Sequence, residues 1–150
     1  MDLILWRHAE AEDGLPDVGR KLTDKGLHQA QQMAYWLKPR LPLNTRILAS
    51  PALRTQQTAA ALGMVFETVD EVGLSTNAVL LLAKAGWPQA QGAVLIVGHQ
   101  PTLGQVAAFL LSGEEQIWSM KKGALWWISN RVRHGEGKTV LRCVLAPELL

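Results

Sequence analysis

Three short apolar runs, Leu3–Trp6, Arg46–Ala49 and Ala93–Val97, constrain this chain more than any other feature. Each is bounded by turn residues and followed by a helical pattern, the alternation expected of buried parallel strands in an α/β fold. After the first run comes a polar loop, Glu10 to Lys21, and then a helix from about Thr23 to Leu37. Its apolar positions Leu27, Ala30, Ala34 and Leu37 recur at helical spacing, and Pro39 with Pro42 ends it. After the second run, Ser50-Pro51 reads as an N-cap followed by proline at the first helical position, with the helix running to Leu62 and Gly63 as its stop. Met64–Val69 is a candidate short strand, and Asn77–Ala85 a helix closed by Gly86-Trp87-Pro88. After the third run, Pro101 starts a helix that reaches Leu111. The remaining residues suggest two strands, Leu125–Ile128 and Thr139–Leu145, joined by a basic turn from Arg131 to Lys138. The expected architecture is a three-layer α/β/α fold with a mostly parallel central sheet. Residues 1–150 are read as one domain, since 150 residues suit a single core and neither a linker nor a repeat interrupts them.

Composition narrows the function classes. Fifteen basic against thirteen acidic residues leave a net charge of +2, which does not favour nucleic acid as a partner. Cys143 is the only cysteine, so no intrachain disulfide and no zinc-ribbon pattern can form. The opening residues lack a basic flank and a signal-length apolar run, and no stretch has the length of a membrane span. A cytoplasmic monomer without a membrane partner is expected.

The chemistry-bearing residues stand where the strands end. The first run ends in Arg7-His8, the second in Ser50 with Arg54 one turn on, and the third in Gly98-His99. In open parallel α/β sheets, ligands bind in the crevice outside the carboxyl ends of the strands. Two arginines and two histidines should therefore converge on one edge of the sheet. Arg54 lies near the positive end of a helix dipole, where a cation is disfavoured by roughly 0.3–1 kcal/mol unless an anion sits between them. With Arg7 it supplies two planar guanidinium forks, which suit a phosphoryl group better than the single edge of a carboxylate. A neutral imidazole can attack phosphorus in line, and a second, charged imidazole can stabilise the developing negative charge. Neighbouring residues of a regular strand face opposite sides, so Arg7 and His8 can share a ligand only if the chain leaves strand geometry there. Ala9, small and next in line, permits that departure.

In sequence these residues resemble the signature of the histidine phosphatase superfamily, the phosphoglycerate-mutase-like fold. Arg7-His8-Ala9 is similar to its nucleophile motif, which often has glycine at the third position. Ser50-Pro51-Ala52-Leu53-Arg54-Thr55-Gln56-Gln57-Thr58-Ala59 is similar to its second-arginine motif, and Val97-Gly98-His99-Gln100-Pro101-Thr102-Leu103 to its second-histidine motif. The alanine at position 9, the short length and Arg20-Lys21-Leu22-Thr23-Asp24-Lys25-Gly26 resemble the small phosphohistidine phosphatase branch. The resemblance implies His8 as nucleophile, with Arg7, Arg54 and His99 binding the phosphoryl group, and neither a metal nor an organic cofactor. The implied substrate is a phosphorylated protein of the histidine phosphotransfer type, cleared in signal transduction, with a small phosphate ester or a catalytically weak phosphate-binding role as alternatives. Larger members carry a general acid between the second-arginine and second-histidine motifs. Here that interval offers Glu67, Asp70 and Glu71, of which Glu71 is the candidate. A phosphohistidine leaves as imidazole and can dispense with that acid, whereas an alkoxide benefits from one.

Several residues favour plainer readings. His28 in its helix and His134 in a polar turn are expected to face solvent. Arg54 alone could be a solvated arginine paired with Glu10 or Glu12, and the acidic run after His8 lacks a second metal-ligand motif. Trp126 and Trp127 should point to opposite faces of one strand. Lys121-Lys122 reads as solvated charge, or as a docking rim for an acidic phosphoprotein.

Overall fold

The computed structural model describes all residues from 1 to 150, and the three apolar runs form the centre of its sheet. The strands are β1 (Asp2–Arg7), β2 (Arg46–Ala49), β3 (Glu67–Thr68), β4 (Ala93–Gly98), β5 (Leu125–Arg133) and β6 (Glu136–Leu145), in spatial order β3-β2-β4-β1-β5-β6. The first four are parallel; β5 runs antiparallel to β1, and β6 antiparallel to β5. The fold is thus α/β with a mostly parallel sheet. Four α-helices complete it: α1 (Asp24–Leu37), α2 (Leu53–Ala60), α3 (Ala78–Ala85) and α4 (Thr102–Ser112).

Strand alternation divides the core in two. Leu3, Leu5, Leu48, Val94 and Ile96 pack on one face with Leu81 of α3 and Leu103 and Val106 of α4. Ile4, Trp6, Ile47, Ala49, Leu95 and Val97 pack on the other with Met33 and Leu37 of α1 and Ala59 of α2. Trp126 joins the first side and Trp127 the second, the opposition that adjacent strand positions impose. Chain order explains the layers. The path from β1 through β2 to β3 keeps α1 and α2 on one face, and the return to β4 puts α3 on the other. The central β4–β1 pair, buried on both faces, carries Gly98 and Arg7 at its carboxyl end.

Local signals set most boundaries. Thr23 caps α1, its hydroxyl accepting the Gly26 N–H at 2.9 Å, and Asn77 caps α3 through Leu80 N–H. Four expectations need correction. Ser50 is not the cap of α2: Ala52 holds that position in extended geometry, and the Ser50 hydroxyl is used elsewhere. The same helix ends at Ala60 rather than Leu62. Leu27 is 40% exposed, the buried face of α1 being Gly26, Ala30, Met33, Ala34 and Leu37. The basic turn from Arg131 to Lys138 is instead the end of a long hairpin that reverses over His134-Gly135, both at positive φ (53° and 78°). Its outer half is exposed on both sides, so no apolar alternation marks it as strand.

Two glycines let loops approach the sheet's edge. A Cβ on Gly26 would lie 1.9 Å from the Glu10 carbonyl oxygen, and one on Gly104 would lie 1.9 Å from that of Trp118. The first contact seats the loop after β1 on α1. The second seats the segment before β5 on α4, where the Gln100 side chain donates to the Trp118 carbonyl and accepts from Gly104 N–H, both at 2.7 Å.

Candidate active site

Regular pairing ends at Arg7, and the chain turns out of the strand at His8. His8 N–H still donates to the Gly98 carbonyl at 3.1 Å, while Ala9 N–H donates to the Thr58 hydroxyl of α2 at 3.1 Å. Ala9 is fully buried, packed with Leu22 and Ala30. This departure from strand geometry removes the obstacle that strict alternation would place between Arg7 and His8.

The second-arginine motif acts as a scaffold. The Thr55 hydroxyl and Gln56 amide both donate to the Ser50 carbonyl, at 2.9 and 2.7 Å. Thr58 donates to the Arg54 carbonyl while accepting from Ala9, and Gln57 accepts the Leu22 N–H at 2.7 Å. One helix therefore fixes the chain after β1, the turn after β2 and Arg54 relative to one another.

His8 and His99 face each other with ring centroids 5.4 Å apart and planes at 57°. Both are buried, at 7% and 4% exposure. His8 Nδ1 lies 2.7 Å from the Ala9 carbonyl, which accepts only, so the neutral ring carries its hydrogen on Nδ1 and keeps the Nε2 lone pair free. His99 Nε2 shares a 2.7 Å hydrogen bond with the Ser50 hydroxyl. That hydroxyl also accepts the Ala52 N–H; in the tautomer in which its own proton goes to His99 Nε2, the His99 hydrogen resides on Nδ1. Nδ1 is buried without a protein partner.

Electrostatics set both rings neutral. Burial pushes the His8 pKa down to about 4; its bond to Ala9 opposes this, and the charges of Arg54, Arg7 and Arg20 reinforce it. His99 is pushed down to about 3, by burial first and then by His8 and Arg54. A cationic second imidazole, the expectation from sequence, is thus not the state of the ligand-free site. A phosphoryl dianion would supply the negative charge that reverses the shift.

The arginines are anchored by the protein. Arg7 Nη1 donates to the Met120 carbonyl at 2.6 Å, and Arg54 donates through Nη1 to the Asp17 carbonyl at 2.9 Å and through Nη2 to the Asp17 carboxylate at 3.1 Å. The buried Nε of each has no protein partner. The partner of Arg54 is neither Glu10 nor Glu12 but Asp17, a residue the sequence did not single out. Asp17 lies in a short 3₁₀ turn of the loop after β1 and also accepts from Arg20 Nε at 3.0 Å. Glu71 stands in another 3₁₀ turn, its side chain about half exposed. Its own backbone N–H first, and then Lys84 at 3.5 Å, hold it below the usual glutamate range. His28 and His134 are exposed, and Lys121 pairs with Glu148.

Two buried neutral imidazoles with the buried Arg54 and the half-buried Arg7 form a cationic pocket that can hold a tetrahedral oxyanion against a nitrogen nucleophile. Comparison with known proteins agrees. Residues 3–74 match the histidine phosphatase superfamily (branch 1). The chain is 32% identical to phosphohistidine phosphatase SixA of Escherichia coli, with 76% of each chain covered.

The chain belongs to the histidine phosphatase superfamily. This phosphatase is also 31% identical to a SixA homologue of Haemophilus influenzae, covering 78% of this chain and 81% of that one. Among solved structures it superimposes on the protein histidine phosphatase SixA complexed with tungstate with a TM-score of 0.79, at 26% identity and 99% coverage of both chains. A phosphoserine phosphatase mutant from Entamoeba histolytica shares the fold, with a TM-score of 0.72 at 18% identity, covering 99% of this chain and 98% of that one.

Proposed function

We propose that this phosphatase removes the phosphoryl group from a phosphohistidine side chain of another protein, through a phospho-His8 intermediate. His8 Nε2, neutral and unprotonated, attacks phosphorus in line. Arg7 and Arg54 hold the non-bridging oxygens through Nε and any N–H their backbone partners leave free, and His99 Nδ1–H donates to a third oxygen. As the P–Nε2 bond forms, the bond to the leaving nitrogen breaks and its electron pair stays on that nitrogen. The ring of phospho-His8, now cationic, keeps its Nδ1–H on the Ala9 carbonyl. Water then attacks phosphorus, releasing inorganic phosphate and restoring His8.

The observation that carries the choice of substrate is the state of the carboxylates. Asp17, through Arg20 and Arg54, and Glu71, through its own backbone N–H and then Lys84, are both held below the usual carboxylate range, so neither is poised to protonate an alkoxide. A phosphohistidine makes no such demand, since imidazole departs as a neutral amine. Beside the Ser50–His99 pair, a groove of about 330 Å³ is lined by Val18, Pro51, Ala52, Asp70 and Leu74, suited to side chains that flank a phosphorylated residue. The relatives named as phosphohistidine phosphatases point the same way. We take residues 1–150 as one domain, acting as a monomer on a cytoplasmic phosphorelay carrier of the histidine phosphotransfer type.

The test sets a histidine-phosphorylated phosphotransfer domain beside an aryl phosphate, with His8→Ala as control. Fast loss of the phosphohistidine, slow ester cleavage and neither with His8→Ala is the expected pattern. Efficient ester cleavage with the phosphoprotein untouched would move the function to small-molecule metabolism. Undiminished turnover by His8→Ala would remove the mechanism.

A further inference from the structure

Arg54 and Asp17 form an ion pair of unequal halves. The arginine side chain is 3% exposed, whereas the Asp17 side chain that caps it is 50% exposed. Asp17 is therefore the solvent-reaching half of a pair whose guanidinium helps to line the phosphoryl pocket. His8 is itself buried. In-line displacement puts the leaving atom opposite His8 Nε2 across phosphorus, hence on the outer side from which the substrate arrives. Of the groups bonded to the two pocket arginines, Asp17 is the one that carries a charge into solvent.

The carboxylate is anchored but not exhausted. Oδ2 accepts from Arg54 at 3.1 Å and Oδ1 from Arg20 at 3.0 Å, while the Asp17 carbonyl takes a second Arg54 N–H. An ionised carboxylate has about four acceptor positions, so about two remain and are open to solvent. Desolvation that would raise its pKa is outweighed by the hydrogen bonds and charges of Arg20 and Arg54, and the group stays anionic. It is thus a fixed negative point bonded to one arginine of a pocket otherwise lined by arginine and imidazole. Such a point attracts a cationic leaving group and repels a developing alkoxide or phenolate.

We infer, resting on the phospho-His8 reading above, that Asp17 is the specificity-determining residue that selects substrates whose leaving nitrogen is protonated, by accepting a hydrogen bond from that cationic group. A phosphohistidine protonated on its second ring nitrogen is a phosphoimidazolium. When His8 Nε2 bonds to phosphorus and the substrate P–N bond breaks, the electron pair neutralises the ring, which departs as imidazole with its N–H intact. No proton has to be supplied. The Asp17 charge keeps the ring protonated up to that moment, and the same charge opposes an ester, whose oxygen leaves with a negative charge.

Phosphoramidate and an aryl phosphate test this directly, since the first carries a protonated nitrogen and the second does not. The reading is kcat/KM on each for wild type, Asp17→Asn and Asp17→Glu, with tungstate-induced thermal shift confirming that each variant retains a folded site. Asp17→Asn should lose at least about tenfold more on phosphoramidate than on the aryl ester, the size expected of one hydrogen bond to a charged group. Asp17→Glu should recover part of the selectivity. Equal losses on both substrates would mean that Asp17 only braces Arg54, and the inference falls. A wild-type enzyme that cleaves the aryl ester but neither phosphoramidate nor phosphohistidine would instead overturn the phosphohistidine reading itself.

Discussion

Acidification should destabilise this protein through its two buried histidines, His8 and His99. An unfolded histidine titrates near 6.5, whereas His8 and His99 in the fold are lowered to about 4 and about 3. Between those values the unfolded chain binds more protons than the native one, so stability rises with pH across that window and is lost as pH falls through it. For each ring, moving from pH 7 to pH 5 should remove about 2 kcal/mol, and somewhat less than twice that for the coupled pair. Against the roughly 5–15 kcal/mol that holds a domain together, such a loss is large. Urea unfolding at both pH values measures it, comparing wild type with His8→Asn/His99→Asn. Carboxylates titrate in both proteins and cancel in the comparison. The double variant should lose about 3 kcal/mol less than wild type on acidification. An identical loss in the two proteins would show that neither ring is held neutral by the fold, and the assignment of His8 as a ready nucleophile would lose its basis.

Other outcomes follow from the same geometry. Because the ligand-free His8 stays neutral down to about pH 4, the acid limb of kcat/KM should not show a histidine pKa near 6.5; a limb at that value would contradict the neutral nucleophile. Gly104→Ala should cost about 3 kcal/mol or more in thermal or urea unfolding, since its Cβ would meet the Trp118 carbonyl oxygen at 1.9 Å and no side-chain movement relieves a backbone clash. Ser50→Ala should lower kcat about tenfold by releasing His99 Nε2, with KM changing less, as single-turnover and steady-state rates would show. Glu71→Gln should leave ester turnover within about twofold, because the carboxylate is exposed, held below the usual glutamate range and paired with Lys84; a loss of tenfold or more would identify it as the missing acid.

Much of the fold can be read from local pattern. Each of the three apolar runs matches its strand to within one residue at either end, and Thr23 and Asn77 mark helix starts through bonds to residues three positions on. Strand ends in a parallel sheet share one edge, so the meeting of Arg7, His8, Arg54 and His99 also follows from strand assignments alone. The failures share a cause. Ser50 looks like a helix cap because serine before proline commonly is one; in the fold its hydroxyl is claimed by His99, 49 residues away. The His134-Gly135 hairpin is missed because strands exposed on both faces carry no apolar alternation.

Asp17 shows the limit most sharply. Nothing in a polar loop distinguishes it from Glu12 or Asp13, yet it meets Arg54 across 37 residues of sequence. Periodicity, capping and turn chemistry act between neighbours in the chain and are written in residue order. Ionisation depends on how completely distant segments strip water from a ring and which charges they bring to it. The sequence therefore names the two histidines and two arginines of the site and puts them on one edge. Only the packed structure makes both histidines neutral, gives His8 a free Nε2, and pairs Arg54 with Asp17.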